Sequence, residues 1–112
     1  MRLRSDLWVA AYLRRCNVEG ASAYLRRRGA AEAGAIFVKI DRLDGQAALF
    51  GPAPQSLLGE GERLFVQAHK EDWLAPASIE ARLRRELEFD TDLWIVEVED
   101  RQGRNFLDLA AS

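Results

Sequence analysis

Reactive side chains are few in this chain. Of 112 residues, one is a histidine, His69, and one is a cysteine, Cys16. Together they are too few for a zinc tetrad of Cys and His ligands. A Cys–His nucleophile pair needs a thiol that a base can activate. Cys16, however, falls at helical spacing from Val9 and Leu13, where a buried cysteine behaves as a small hydrophobe. His69 reads as an exposed strand-end residue beside Lys70 and Glu71. These residues therefore predict no catalytic group, no metal and no cofactor.

Carboxylates are denser. Asp90, Asp92, Glu97, Glu99 and Asp100 lie close together near the C-terminus, and paired acids can do general acid–base work or hold a hard cation. Their spacing favours another role. Glu97 and Glu99 share one face of a strand, with no His or Lys next to them in sequence to tune them. Glu97, Glu99 and Asp100 are thus expected to form a solvated acidic face, an edge guarded by charge or a surface for a partner. Gly59-Glu60-Gly61 lacks the third glycine of a phosphate-binding loop.

The strongest binding candidate is basic: Arg14 and Arg15, then Arg26, Arg27 and Arg28 with Tyr24 interleaved. Guanidinium groups grip phosphate or carboxylate in a two-toothed fashion, and a neighbouring ring can stack on a base. A pI near 5.4 is far from that of a dedicated nucleic-acid binder. The same arginines can instead pair with the acidic last strand, within one chain or between two. Charge is divided accordingly: residues 1–40 carry eight Lys/Arg against three Asp/Glu, and residues 41–112 carry eight against fifteen.

These groups must be positioned by a single domain, since 112 residues suffice for one core without disulfides. Apolar residues Val9, Tyr12, Leu13 and Cys16 predict a helix, with Ser5 or Asp6 as N-cap and Gly20 as its stop. Residues 21–28 fit either a strand or a short amphipathic helix. The strand, preferred here, sets Ser22, Tyr24, Arg26 and Arg28 on one face. Residues 29–34 read as a turn, and Ala35 to Ile40 as a central strand. Asp44-Gly45 signals a reversal into Ala47 to Phe50, which Gly51-Pro52-Ala53-Pro54 should end. Gln55 to Gly61 is a loop and Arg63 to His69 a further strand. Pro76 opens a helix over 76–88 with the stripe Ile79, Leu83, Leu87 and with Glu80–Arg84 and Arg82–Glu86 pairs. Trp94, Val96 and Val98 then alternate with Ile95, Glu97 and Glu99 as a last strand, wet on one side. Gln102-Gly103 is a turn, after which Phe106, Leu107 and Leu109 dock the tail.

This pattern predicts an α+β fold: a two-layer domain in which two helices cover one face of a mainly antiparallel sheet of about five strands. No run approaches the roughly 20 apolar residues of a membrane span, and one cysteine suits a reducing cytoplasm. A five-residue motif also occurs twice, as Ser5-Asp6-Leu7-Trp8-Val9 and Thr91-Asp92-Leu93-Trp94-Ile95. The first continues at helical period and the second at period two, so the copies mark two element starts and not a duplicated unit.

The blocks Leu7 to Arg15, Arg27-Arg28-Gly29, Ala33 to Lys39 and Phe89 to Asp100 resemble the DUF1491 family of small bacterial proteins, over nearly the whole chain. Family members often carry an acid directly after the glycine at position 29, where this chain has Ala30. The resemblance implies no activity, cofactor or catalytic residue. The expected function is that of a non-enzymatic interaction domain binding itself or another protein, and the alternative is a nucleic-acid module built on the arginines.

Overall fold

Val9, Tyr12 and Cys16 give the first helix, α1 (Ser5–Val18), the buried stripe that its spacing predicts. The computed structural model describes residues 3–54 and 63–110; the loop expected over 55–61 lies outside them. Neither Ser5 nor Asp6 caps α1. Arg4 holds the cap position without a side-chain bond, and Ser5 is already helical and fully buried. The Ser5 and Asp6 amides donate instead to the Glu32 and Ala31 carbonyls, and the Ser5 hydroxyl donates to the Gly34 carbonyl at 2.7 Å. Contacts from a distant turn thus satisfy the free N–H groups that a cap would otherwise serve. At the other end Gly20 ends the helix with φ of 95°, a conformation glycine adopts without a Cβ clash.

Five strands follow: β1 (Ser22–Arg27), β2 (Ile36–Asp41), β3 (Ala47–Pro52), β4 (Phe65–Gln67) and β5 (Trp94–Glu99), with α2 (Pro76–Phe89) before β5. They form one sheet in the order β1-β5-β2-β3-β4. The β2–β5 pair is parallel and the other pairs are antiparallel. The strand reading of residues 21–28 and the central position of β2 hold. Strand β3 runs on through Gly51 and Pro52, because both lie beyond the pairing with β2 and face only β4 there. β4 itself is shorter than the expected 63–69.

β5 is not an edge. It enters between β1 and β2, so its apolar residues and those of β2 are buried on both faces. Two covers are then needed, and the helices take one face each. On one side α1 packs on Ile36, Val38, Trp94 and Val96; on the other, Ile79 and Leu83 of α2 pack on Phe37, Leu49 and Ile95. The α+β fold with five strands and two helices is as expected, but it has three layers instead of two.

The turn at 29–34 joins both copies of the repeated motif. It holds the start of α1 as described. From the opposite side Ala30 N–H donates to the Asp92 carbonyl, and the Trp94 indole donates to the Ala30 carbonyl at 2.7 Å. A Cβ at Gly29 would collide with the Asp92 and Leu93 backbone, so the approach requires glycine. Trp94 is buried in the α1-side core, while Trp8 lies at its margin, stacked on Tyr12 with ring centroids 4.8 Å apart.

Candidate functional site

The sheet face under α2 gathers most of the buried charge. Alternation puts Tyr24, Glu97 and Lys39 side by side across β1, β5 and β2. Lys39 is 5% exposed and Glu97 6%, depths that charged groups reach only when paired. Glu80 reaches down from α2 and accepts from Lys39 Nζ at 2.8 Å. It also takes both arms of the Arg26 guanidinium, at 2.7 and 2.8 Å. Arg26 donates in turn to Glu97 at 3.0 Å, and Lys39 Nζ lies 3.7 Å from the other Glu97 oxygen. The predicted Glu80–Arg84 pair gives way to this cluster, which offers Glu80 two cations in a drier setting; Arg82–Glu86 is likewise not among the ion pairs of the described residues.

Electrostatics follow the geometry. The Arg26 hydrogen bonds, opposed by burial and reinforced by Lys39, lower the Glu80 carboxyl to about 2. Hydrogen bonding to Glu80 raises Arg26. Burial, together with the Glu97 and Glu99 charges, raises the Tyr24 phenol. Lys39 is a detectable signal in hindsight, as a single cation inside an apolar strand.

The acidic candidates therefore separate. Glu97 is not solvated but ion-paired beneath α2. Asp100 is 6% exposed and accepts from the Arg104 amide and from its guanidinium, contacts that lower its carboxyl. Of Glu97, Glu99 and Asp100, only Glu99 is even partly exposed.

The arginines divide as well, because of one extra residue. A β-bulge falls between Leu25 and Arg27 opposite consecutive residues of β5. Such a bulge shifts every later side chain to the other face. Arg26 joins the α2-side cluster, and Arg27 donates to the Thr91 carbonyl. Arg28, expected on the face of Tyr24, instead lies over the Trp94 ring at 5.1 Å. Arg14 and Arg15 stand on α1, across the sheet from Arg26, so the five arginines make no single patch.

The remaining reactive groups are committed to structure. His69 Nε2 accepts from the Leu49 amide at 3.0 Å, which leaves the ring proton on Nδ1 to bond the Glu71 carbonyl. Burial raises the Cys16 thiol, which is fully buried. Among the described residues no three His, Cys, Asp or Glu side chains are grouped to hold a metal ion.

What remains open is the outer face of α1. Leu7, Ala11, Arg14 and Val18 recur at the same spacing as the buried Ser5, Val9, Tyr12 and Cys16, about 200° around the helix. Leu7 is 53% and Val18 77% exposed. This second stripe is visible in the sequence as the same 4-3-4 spacing. Ala10, Ala11, Arg14, Arg15 and Val18 line a shallow groove. Ala11 and Arg15 also line a cavity of about 140 Å³ completed by Trp8, Tyr12, Phe106 and Asp108. Phe106 holds φ of 55°, which is costly for a bulky side chain. The Arg104 guanidinium lies over its ring, 5.1 Å from the centroid. Next to it, the Tyr12 hydroxyl donates to the Asn105 carbonyl at 2.6 Å.

Fold and site together define a small three-layer α+β domain whose buried charges are structural and whose open surface is an apolar, arginine-flanked helix face. The family model for DUF1491, described as a protein of unknown function, matches residues 3–108, and the chain belongs to that family. Solved structures agree over the full length. A DUF1491 protein of Caulobacter crescentus CB15 in the crystal is 38% identical with a TM-score of 0.81, each chain fully covered. Its family counterpart from the same organism, determined by NMR, is 41% identical with a TM-score of 0.81, covering 100% of this chain and 99% of that one. An A. tumefaciens protein solved in solution is 38% identical with a TM-score of 0.83, covering 100% and 98%. No curated protein matches. No helix among the described residues is long and apolar enough to cross a membrane.

Proposed function

We propose that this protein is a non-enzymatic interaction domain that receives an acidic, apolar segment of a protein partner on the outer face of α1. One observation carries the reading: an exposed stripe of Leu7, Ala11 and Val18, interrupted by Arg14, runs along α1 and borders, at Ala11 and Arg15, the cavity between Trp8, Tyr12 and Phe106. Aromatic and arginine side chains around a pocket are the composition of binding hot spots. Phe106 adds support, because backbone strain concentrates where a side chain is held for recognition. The non-enzymatic part draws on the engagement of Glu80, Glu97, Asp100 and His69 in bonds that hold elements together. A cytoplasmic location belongs to the same reading, supported by the single buried cysteine.

An NMR titration of the labelled protein tests it, using a synthetic peptide of Glu and Leu with one Phe. Amide shifts should centre on Trp8, Ala11, Arg15 and Phe106 and shrink as salt is raised. Shifts spread elsewhere, or none at all, defeat the proposal. A single-stranded DNA oligonucleotide that moves the same amides more strongly than the peptide would replace it with the nucleic-acid alternative.

A further inference from the structure

Antiparallel strands exchange backbone hydrogen bonds in pairs, and one such pair at the edge of β3 is completed by a side chain. β3 pairs with β4 from Pro52 to Phe50, and the Ala68 N–H extends the ladder by donating to the Leu49 carbonyl at 2.9 Å. The Leu49 amide does not return the bond to Ala68. It donates to His69 Nε2 at 3.0 Å instead. From there the chain leaves β3 and rejoins it at Leu74, which exchanges two backbone bonds with Ala47 at 2.7 and 2.8 Å. His69 is thus the near fastening of an excursion over residues 69–73. The far fastening is Leu74 with Trp73, whose ring lies under the Arg42 guanidinium at 4.9 Å. Ala68 and Leu74 pack against the core that contains Leu49 and Ile79, and Leu49 is fully buried.

The near fastening depends on the protonation state of the ring. A neutral imidazole carries one proton. With Nε2 accepting, that proton sits on Nδ1 and is donated to the Glu71 carbonyl at 2.7 Å. Protonation adds a second proton at Nε2, where it points at the Leu49 N–H. The Glu71 bond survives, since Nδ1 donates in both forms. The Leu49 bond is lost, and a buried amide is left without its acceptor. We propose that His69 is a pH-sensitive latch, whose protonation releases residues 69–73 from β3 and opens the edge of that strand at Leu49. Charged groups around the ring are mixed in sign: Lys70, Glu71 and Asp72 belong to its own segment, and Arg82 lines the same groove from α2. β3 and β4 contain no titratable side chain, so at the Leu49 contact the ring meets backbone alone. Imidazole changes its charge between about pH 5 and 8, well above the value of about 2 to which the Glu80 carboxyl is lowered. The latch therefore opens while the ion-paired cluster beneath α2 is intact.

Heteronuclear NMR of the full chain from about pH 8 to about pH 5 tests this. At the alkaline end the ring nitrogens should show Nδ1 protonated and Nε2 bare. As the ring titrates, protection of the Leu49 amide from hydrogen exchange, corrected for the intrinsic pH dependence of exchange, should fall roughly tenfold, as for one lost hydrogen bond. Its midpoint should coincide with that of the His69 ring signals. Val38 and Val96, on the central strands, should keep their protection. His69→Gln supplies the control: its side-chain oxygen can accept from the Leu49 amide at every pH, so protection there should stay constant. A ring proton on Nε2 at the alkaline end overturns the inference, as does Leu49 protection that is unchanged through the His69 midpoint. A fall shared equally by Val38 and Val96 marks global unfolding and overturns it too. These readings need only the wild-type chain and decide the matter whether or not the variant folds. The same fall in a folded His69→Gln shows that another group titrates, and the latch is then refuted.

Discussion

Glu80 connects α2 to the sheet through two cations at once, one from an edge strand and one from the centre. Its carboxyl is about 2 when folded against an ordinary 4.5. A lowered folded value means that its stabilisation is fully present above pH 4.5 and is lost as pH falls from there through 2. Thermal unfolding followed across that window should therefore show Tm dropping on acidification, with Asp100 contributing in the same direction. Glu80→Gln should cost about 2 kcal/mol at neutral pH, and its deficit relative to wild type should narrow as acid protonates the native carboxyl. An equal deficit at pH 7 and pH 3 contradicts this account. Lys39 and Glu97, register partners across β2 and β5, follow the general behaviour of buried pairs: desolvation takes back much of the attraction. Of this cluster, the pairing of an arginine with the last strand was legible from charge alone. The part played by Glu80 was not, since its helical neighbour Arg84 offered a nearer partner in sequence.

At the scale of elements, the sheet has to protect an edge. β1 is terminal in the sheet, and a free edge invites pairing with another chain. Asn17, in the last turn of α1, accepts from the Ala23 amide at 3.2 Å and donates to the Ala23 carbonyl at 3.1 Å. It occupies both outward backbone groups of that residue, and the bulge at Arg26 distorts the edge beyond it. Asn17→Ala should lower stability by about 1 kcal/mol and increase aggregation on prolonged incubation, measured by light scattering. A variant as soluble as wild type shows that Asn17 is not the guard. Element existence was readable because periods of 3.6 and 2 are imposed by backbone geometry. Bulges were not, since one inserted residue leaves no mark on composition; the displaced Arg28 is the consequence. The N-cap of α1 escaped for a related reason, because Glu32, Ala31 and Gly34 do its work from outside the helix.

For the whole molecule, the two Asp-Leu-Trp copies matter through what they share. Both grip the turn at 29–34, so a loop of small residues ties the first helix to the last strand. Gly29→Ala would force the turn away from Asp92 and should cost roughly 2–3 kcal/mol, at the level of a lost buried packing contact. Chemical denaturation should show a single transition shifted to lower denaturant with its slope unchanged; a native-like midpoint contradicts the close approach. Sequence alone determined the kinds and order of elements and the family resemblance. Those depend on local periodicity and on residue types at turns, which each segment carries within itself. It also marked Trp94, Val96 and Val98 as one buried face. Only the tertiary structure decided that β5 enters between β1 and β2 and lies parallel to β2. That insertion buried both faces of β5, turned an expected solvated acid, Glu97, into an ion-paired one, and required a helix on each side. It also parted Arg26 from Arg14 and Arg15 and left the outer stripe of α1 without a cover. Strand order is a matter of which distant segments meet, and alternation within a strand is the same whether its neighbours are solvent or other strands.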